Sequence, residues 1–268
     1  MRILPLLLAG VLSTAAASPA RAQTSAPTPT AGTPDPSGLA YRYAAGLDGN
    51  LALGVVDRFL VAARGDMLVT TPVWGLYVEP RWTYAEVNDV KTDSEYYLRA
   101  VGFLHPRDRF YGFAVGLLER SYRRRYEVRA TGGAGIGSNL VRAQAVQLLV
   151  AEGLVYETTD FYVADLIGDP DATSTWRGVV RTATRASGRF RLSERGGLFF
   201  DAYFKPAVSD LDDYRILAKA SFELALGSAG GHQLAARALL DFTRETVRVV
   251  GTSENELTLT FGVVARRD

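Results

Sequence analysis

Two histidines, His105 and His232, and no cysteine limit the metal and nucleophile chemistry open to this chain. Thiolate metal sites and disulfides are excluded, and two histidines far apart in sequence offer no tetrahedral ligand set. Asp212-Asp213 is a pair of acids suited to proton transfer, but no oriented partner accompanies it. The run Gly132-Gly133-Ala134-Gly135-Ile136-Gly137 resembles a phosphate-binding loop by composition. A dinucleotide fingerprint needs a following helix and an acid about 20 residues on. Here the next segment reads as another strand, so the glycines are better explained as room for bulky neighbours or a bend. No catalytic residue, cofactor or metal site is assigned.

The residues with the most chemical content are arginines and acids that alternate with apolar positions. They are Arg58, Glu79, Arg81, Glu95, Arg99, Glu127, Arg129, Arg177, Arg181, Arg185, Asp201, Lys205, Arg215, Lys219, Glu223, Arg237 and Asp241. Both signs are mixed. Gathered on one face, they would line a small charged channel or form a salt-bridged plug that holds a wall in shape. Arg177, Arg181 and Arg185 form a basic ladder favouring anions. A second group, Arg120, Arg123, Arg124 and Arg125, clusters in one connection and suits phosphate geometry.

Gathering such charges requires strands. In Asp212–Leu226, Tyr214, Ile216, Ala218, Ala220, Phe222, Leu224 and Leu226 alternate with Asp213, Arg215, Leu217, Lys219, Ser221 and Glu223. Successive side chains of a strand point to opposite faces, so this ribbon has an apolar face and an ionic one. Its length matches the ~9–11 residues of a tilted membrane-crossing strand, whereas soluble strands run ~5–6. The pattern recurs along the chain. Phe59, Val61, Ala63, Met67 and Val69 alternate with Arg58, Arg64 and Asp66, and Trp74, Leu76, Val78, Trp82 and Tyr84 with Tyr77, Glu79 and Arg81. Pro80 predicts a bulge, since it cannot donate to a ladder. Phe110 to Leu118 is apolar on both faces, which leaves its facing open, and Glu152 is assigned inward.

Counting Leu39–Leu47, with a turn at Gly49-Asn50, gives twelve strands; ten is the alternative. Short connections fall at Thr71, His105, Ser138, Ser187 and Gly227, and longer or more polar ones at Gly49, Val87, Tyr122, Thr158, Val208 and Val249. Such alternation marks outer-membrane barrels, with short periplasmic turns and longer external loops. Twelve strands place both termini on the short-turn side. The expected fold is therefore all-β, a transmembrane antiparallel up-and-down β-barrel. A sandwich is disfavoured by strand length and by Trp and Tyr near strand ends. In a bilayer every backbone group must pair, so the sheet must close. The alternatives are an enzyme acting on lipid and a lipocalin-like barrel binding an apolar ligand. Outer-membrane hydrolases set their histidine near the outer rim, whereas His105 and His232 fall at the periplasmic end here.

A net charge of +1, from 30 basic and 29 acidic residues, gives no reason to expect nucleic acid as a partner. Arg2, the short apolar Ile3–Ala17 and Ala20-Arg21-Ala22 predict a signal peptide over 1–22 with cleavage before Gln23, hence export. Residues 23–38 read as a Pro/Thr/Ser-rich flexible linker, leaving 39–268 for the barrel.

Gly49-Asn50; Arg129 with Gly133, Gly135 and Gly137; and Pro206 followed by Asp210, Asp213, Tyr214 and Arg215 resemble the salt-induced outer-membrane protein family, also called domain of unknown function 481. The resemblance covers roughly residues 40 to 268. It implies a bacterial outer-membrane barrel of undefined activity, with no catalytic residues to carry over. Its expected partners are membrane lipid, lipopolysaccharide and the barrel assembly machinery, and its expected state is a monomer. Barrels of this kind commonly end on an aromatic residue that the assembly machinery reads; this chain ends Ala265-Arg266-Arg267-Asp268.

Overall fold

The computed structural model describes residues 39–52, 58–169, 172–229 and 231–267. The expected signal peptide and linker lie outside them. Fourteen strands run in chain order: β1 (Ala40–Ala52), β2 (Arg58–Thr70), β3 (Trp74–Val87), β4 (Val90–Leu104), β5 (Phe110–Ser121), β6 (Tyr126–Arg142), β7 (Val146–Phe161), β8 (Leu166–Ile167), β9 (Trp176–Arg191), β10 (Gly196–Pro206), β11 (Tyr214–Ala229), β12 (His232–Glu245), β13 (Arg248–Val249) and β14 (Asn255–Arg267). Twelve of them close an antiparallel barrel in sequential order. The seam is β1 on β14, with Leu47 opposite Val263. The two short strands, β8 and β13, pair with each other in the loops.

Period-two alternation sorts the side chains. On β3, Trp74, Leu76 and Trp82 point out and are exposed, while Tyr77 and Glu79 point in and are buried. The outer face of the barrel is apolar through its middle, with Leu98, Leu118, Ile136, Leu154, Val180, Leu259 and Phe261 exposed. Aromatic rings flank this band. Trp74, Tyr41 and Phe110 lie toward the turn end, and Tyr96, Tyr156 and Trp176 toward the loop end. On β3 the stacked pair Trp82 and Tyr84, with centroids 6.3 Å apart, closes the band at the loop end. The ten steps from Trp74 to Tyr84 span about 33 Å along a strand. At the usual ~40° tilt that is about 25 Å of height, the depth of an outer-membrane apolar belt. Such a surface is stable only against lipid.

Several local expectations are corrected: Ser138 and Ser187, where short connections were expected, lie inside β6 and β9, and the turns come after Arg142 and Arg191. No bulge forms at Pro80, which pairs in register with Leu98. On its other side, the β2–β3 pairing passes from Arg64–Arg81 to Met67–Val78 without a shift, and Pro80 packs over Gly65, so the missing donor costs pairing but not register. The turn expected at Gly49-Asn50 is strand, because β1 continues to Ala52. The connection after Val87 is a two-residue hairpin, where Asn88 (φ 49°) and Asp89 (φ 61°) take the left-handed conformation such tight turns require. Finally, Glu152 points out of the barrel: it is exposed, while its neighbours Ala151 and Val155 on the inner face are buried.

Candidate lumen site

The inner face of the barrel gathers charges from both signs and joins them across the bore. Arg129 on β6 gives Nη1 and Nη2 to Glu245 on β12 at 2.8 and 3.1 Å, and its Nε to Thr159 at 2.9 Å. Arg215 on β11 meets Glu157, Glu245 at 2.9 Å and Glu119 of β5 at 3.6 Å. Arg99 on β4 pairs with Glu79 at 2.7 Å, donates to the Tyr203 hydroxyl at 2.6 Å, and lies 3.9 Å from Asp201 of β10. Lys219 on β11 reaches Glu79 of β3 at 3.7 Å. The pairs Arg129–Glu245, Arg215–Glu119, Arg99–Asp201 and Lys219–Glu79 each join strands five places apart in the twelve-strand ring. They are struts across the lumen, and they close it as an open tube. Forked arginine–carboxylate bonds hold such groups in one geometry and offset the several kcal/mol that burying each ion costs.

The basic ladder of β9 is neutralised rung by rung. Arg177 pairs with Asp169 and Asp213, both at 2.9 Å. Arg181 takes Glu157 at 3.1 Å and Asp213 at 2.9 Å, and Arg185 takes Asp201 at 2.7 Å. Nearer the turn end, Asp48 receives Arg237 at 2.6 Å and Arg64 at 3.1 Å, and Arg266 of the last strand meets Glu223. Arg81 pairs with Asp241 at 2.9 Å.

Of the charges expected inside, Glu79, Arg81, Glu95, Arg99, Arg129, Arg177, Arg181, Arg185, Asp201, Lys205, Arg215, Lys219, Glu223, Arg237 and Asp241 face the lumen. Glu127 does not. It is the extra residue of a bulge between Tyr126 and Val128, which turns it outward and brings Tyr126 inward. The side chain of Arg58 lies outside the described set. Several lumen acids and bases escape a reading by local pattern. Asp48 falls between the end of the expected first strand and the supposed turn at Gly49-Asn50, Glu119 is on the strand apolar on both faces, and Glu157 is on the strand whose facing was taken from Glu152. The continuation of Arg42-Ala44-Gly46 at period two was the signal for Asp48.

The arginine cluster of the β5–β6 connection divides. Arg123 and Arg124 fold back over the mouth. Arg123 lies 3.2 Å from Glu256 and 3.4 Å from Glu95, and Arg124 lies 2.9 Å from Glu256 and 3.5 Å from Glu245. Arg120 and Arg125 stay exposed. Beside this lid the β8–β13 pair covers part of the mouth with an apolar cluster of Tyr126, Phe161, Leu166, Val247 and Val249. At the turn end, His105 lies 3.8 Å from Asp108, both exposed, and His232 is 3.1 Å from the Tyr43 hydroxyl.

Among the described residues the lumen holds two larger cavities, besides a small one of about 20 Å³ near Asp66, Tyr77 and Arg237. One of about 100 Å³ lies toward the loop end among charged groups, including Arg81, Glu95, Lys219 and Asp241. The second, of about 70 Å³, is walled by Val101, Phe103, Tyr111, Phe113, Val115 and Leu117 of β4 and β5. They share Tyr97, Arg99, Tyr203 and Leu217 as a partition. The glycine run makes room for this apolar wall. A Cβ on Gly137 would lie 2.2 Å from the Tyr111 ring, and one on Gly135 2.7 Å from Phe113.

Fold and lumen together define a transmembrane β-barrel with an ion-paired interior. Residues 54–266 match the family described as protein of unknown function DUF481, and the chain belongs to that family. None of the curated proteins matches. Among solved structures, the chain is similar to the translocator domain of autotransporter NalP from Neisseria meningitidis, at 13% identity over 87% of this chain and 89% of that one, with a TM-score of 0.46. It is similar also to the COG4313 outer membrane channel from Pseudomonas putida F1 (11% identity, 91% and 99% covered, TM-score 0.47) and to the NanC porin (7% identity, 84% and 98% covered, TM-score 0.45).

Proposed function

We propose that this chain is an exported protein of the bacterial outer membrane that acts as a narrow, charge-lined pathway for small solutes and rests in a closed state. The observation that carries the reading is the pair of lumen cavities, of about 100 and 70 Å³, meeting at one partition inside a bore otherwise braced by ion pairs. Arg123 and Arg124 form the gate: they sit on a short connection and hold four carboxylates at the mouth, Asp93, Glu95, Glu245 and Glu256. Pathways of this width select by the charged groups that line them. The test is conductance of the purified barrel in a planar bilayer. The native protein is expected to open rarely, and the double variant Arg123→Ser, Arg124→Ser to open more often. Silence from both would leave the ion pairs as bracing for an envelope protein with no pore.

The same reading gives Arg120 and Arg125 a separate task at the external surface, contact with lipopolysaccharide phosphates. Arg120→Ser with Arg125→Ser should weaken binding of lipopolysaccharide to the purified barrel at low salt. The difference should fade as salt rises, since exposed charges are screened over about 10 Å at 0.1 M. Equal binding at low salt would remove that role.

A further inference from the structure

The apolar lumen cavity has one feature that packing alone does not explain. Three cations line it, Arg99, Arg185 and Lys205, and no carboxylate does. Arg99 and Arg185 hold their acids outside the cavity wall, Glu79 and Asp201. Lys205 has none: among the described residues no carboxylate comes within ion-pairing distance, Glu157 and Glu119 act on it only from farther off, and the Tyr203 ring lies 5.5 Å from its ammonium. Its strand neighbour Arg215 takes Glu157, Glu245 and Glu119. Lys205 is nonetheless 7% exposed. An ammonium held among apolar groups without an ion-pair partner is unfavourable, and a bound anion relieves this. The Nε of Arg99, on the same lining, is a buried donor with no hydrogen-bond partner.

The remaining wall specifies the rest of the ligand. Val101, Phe103, Phe113, Val115 and Leu117 offer no hydrogen-bonding group, while Tyr97, Tyr111, Thr131 and Tyr203 of the same lining carry hydroxyls. The space, about 70 Å³, is several times the ~10–15 Å³ that admits one water. We propose that this cavity is a binding site for a small organic monoanion: a short-chain carboxylate with its head on Lys205 and its hydrocarbon body on the β4–β5 wall. The inference does not depend on whether the barrel conducts, because a ligand reaching the cavity from either end would bind in a closed lumen.

The test is calorimetric titration of the full barrel, folded in uncharged detergent, with butyrate and with its neutral counterpart butyramide. Butyrate should bind saturably, and butyramide at least about tenfold more weakly, a difference of ~1.4 kcal/mol. Lys205→Met should lose butyrate binding by about the same factor, while Lys205→Arg retains it. Ala183→Leu keeps every charge and fills the cavity, so it should abolish binding as well. The heat-dependent mobility shift of a folded barrel reports whether each variant is assembled. Butyrate binding no tighter than butyramide, or a folded Lys205→Met that binds butyrate as the native chain does, overturns the site. If Lys205→Met does not assemble, Ala183→Leu decides, and undiminished binding there overturns it.

Discussion

The bore of this barrel is filled in two different ways. Around Arg215 and Arg129 it is filled by ions: Glu157, Glu245, Glu119 and Arg181 leave little space, and each depends on the charge of another. Along β5 to β7 it is filled by rings laid over glycines, Tyr111 on Gly137 and Phe113 on Gly135, with a cavity left in front. The first solution is demanding in charge and the second in shape. A network of buried ions fails when one member is lost, because its partners stay behind without neutralisation. A wall of rings on glycines fails when anything is added, because the backbone beneath has nowhere to go.

The ionic side should therefore show the largest effect. Arg215→Met removes a cation that touches Glu119, Glu157 and Glu245 together. Removing one partner of a buried ion pair costs ~3–5 kcal/mol, and a shift of that size is expected in urea unfolding of the barrel in detergent. A loss under ~1 kcal/mol, the value of exposed pairs, would mean that water reaches these groups and that the lumen is wetter than its geometry indicates.

The ring-on-glycine side should respond to the smallest possible addition. A Cβ on Gly135 would stand 2.2 Å from the carbonyl oxygen of Glu152, which is backbone and cannot rotate away. A Cβ on Gly137 meets the end of the Tyr111 side chain, which can move. Gly135→Ala should cost ~1–3 kcal/mol, the range for overpacking, and Gly137→Ala distinctly less. Equal effects would show that the glycines serve chain flexibility and not the seating of rings.

The two regions also differ in how far they can be read from the chain. Strand number, closure and most inward charges follow from alternation, because a charge among apolar neighbours marks its face by itself. Arg99 between Leu98 and Ala100 is unambiguous. Alternation is silent where both faces are apolar, as on β5. There the choice between faces is made by the neighbouring glycines, which form a floor only once β5 and β6 are paired with Phe113 opposite Gly135. Pairing across the bore is equally hidden, since Arg129 and Glu245 are 116 residues apart. A bulge such as the one at Tyr126–Val128 inverts the rule locally, and nothing in Tyr126-Glu127-Val128 distinguishes the inverted phase.

The sharpest form of the comparison lies on a single strand. Glu152 and Glu157 both belong to β7 and stand an odd number of positions apart, so they point to opposite faces. Glu157 is 2% exposed and lies between Arg181 and Arg215. Glu152 stands on the outer face between Val150 and Leu154, with Ile136 and Thr184 beside it on the flanking strands. Its hydrogen bond, accepted from the Thr184 hydroxyl at 2.6 Å, is no substitute for water or a cation. An acid facing lipid is unfavourable, though less so than the ~2–4 kcal/mol of an arginine at the midplane. The same substitution should then have opposite signs at the two positions. Glu157→Leu takes one carboxylate from each of two buried arginines and should lower the urea midpoint strongly. Glu152→Leu removes a charge from lipid, continues the apolar belt and should raise the midpoint by a smaller amount. If Glu152→Leu lowers it instead, the carboxylate faces something other than acyl chains, and the outer surface of β6, β7 and β9 is covered in the membrane by a polar neighbour.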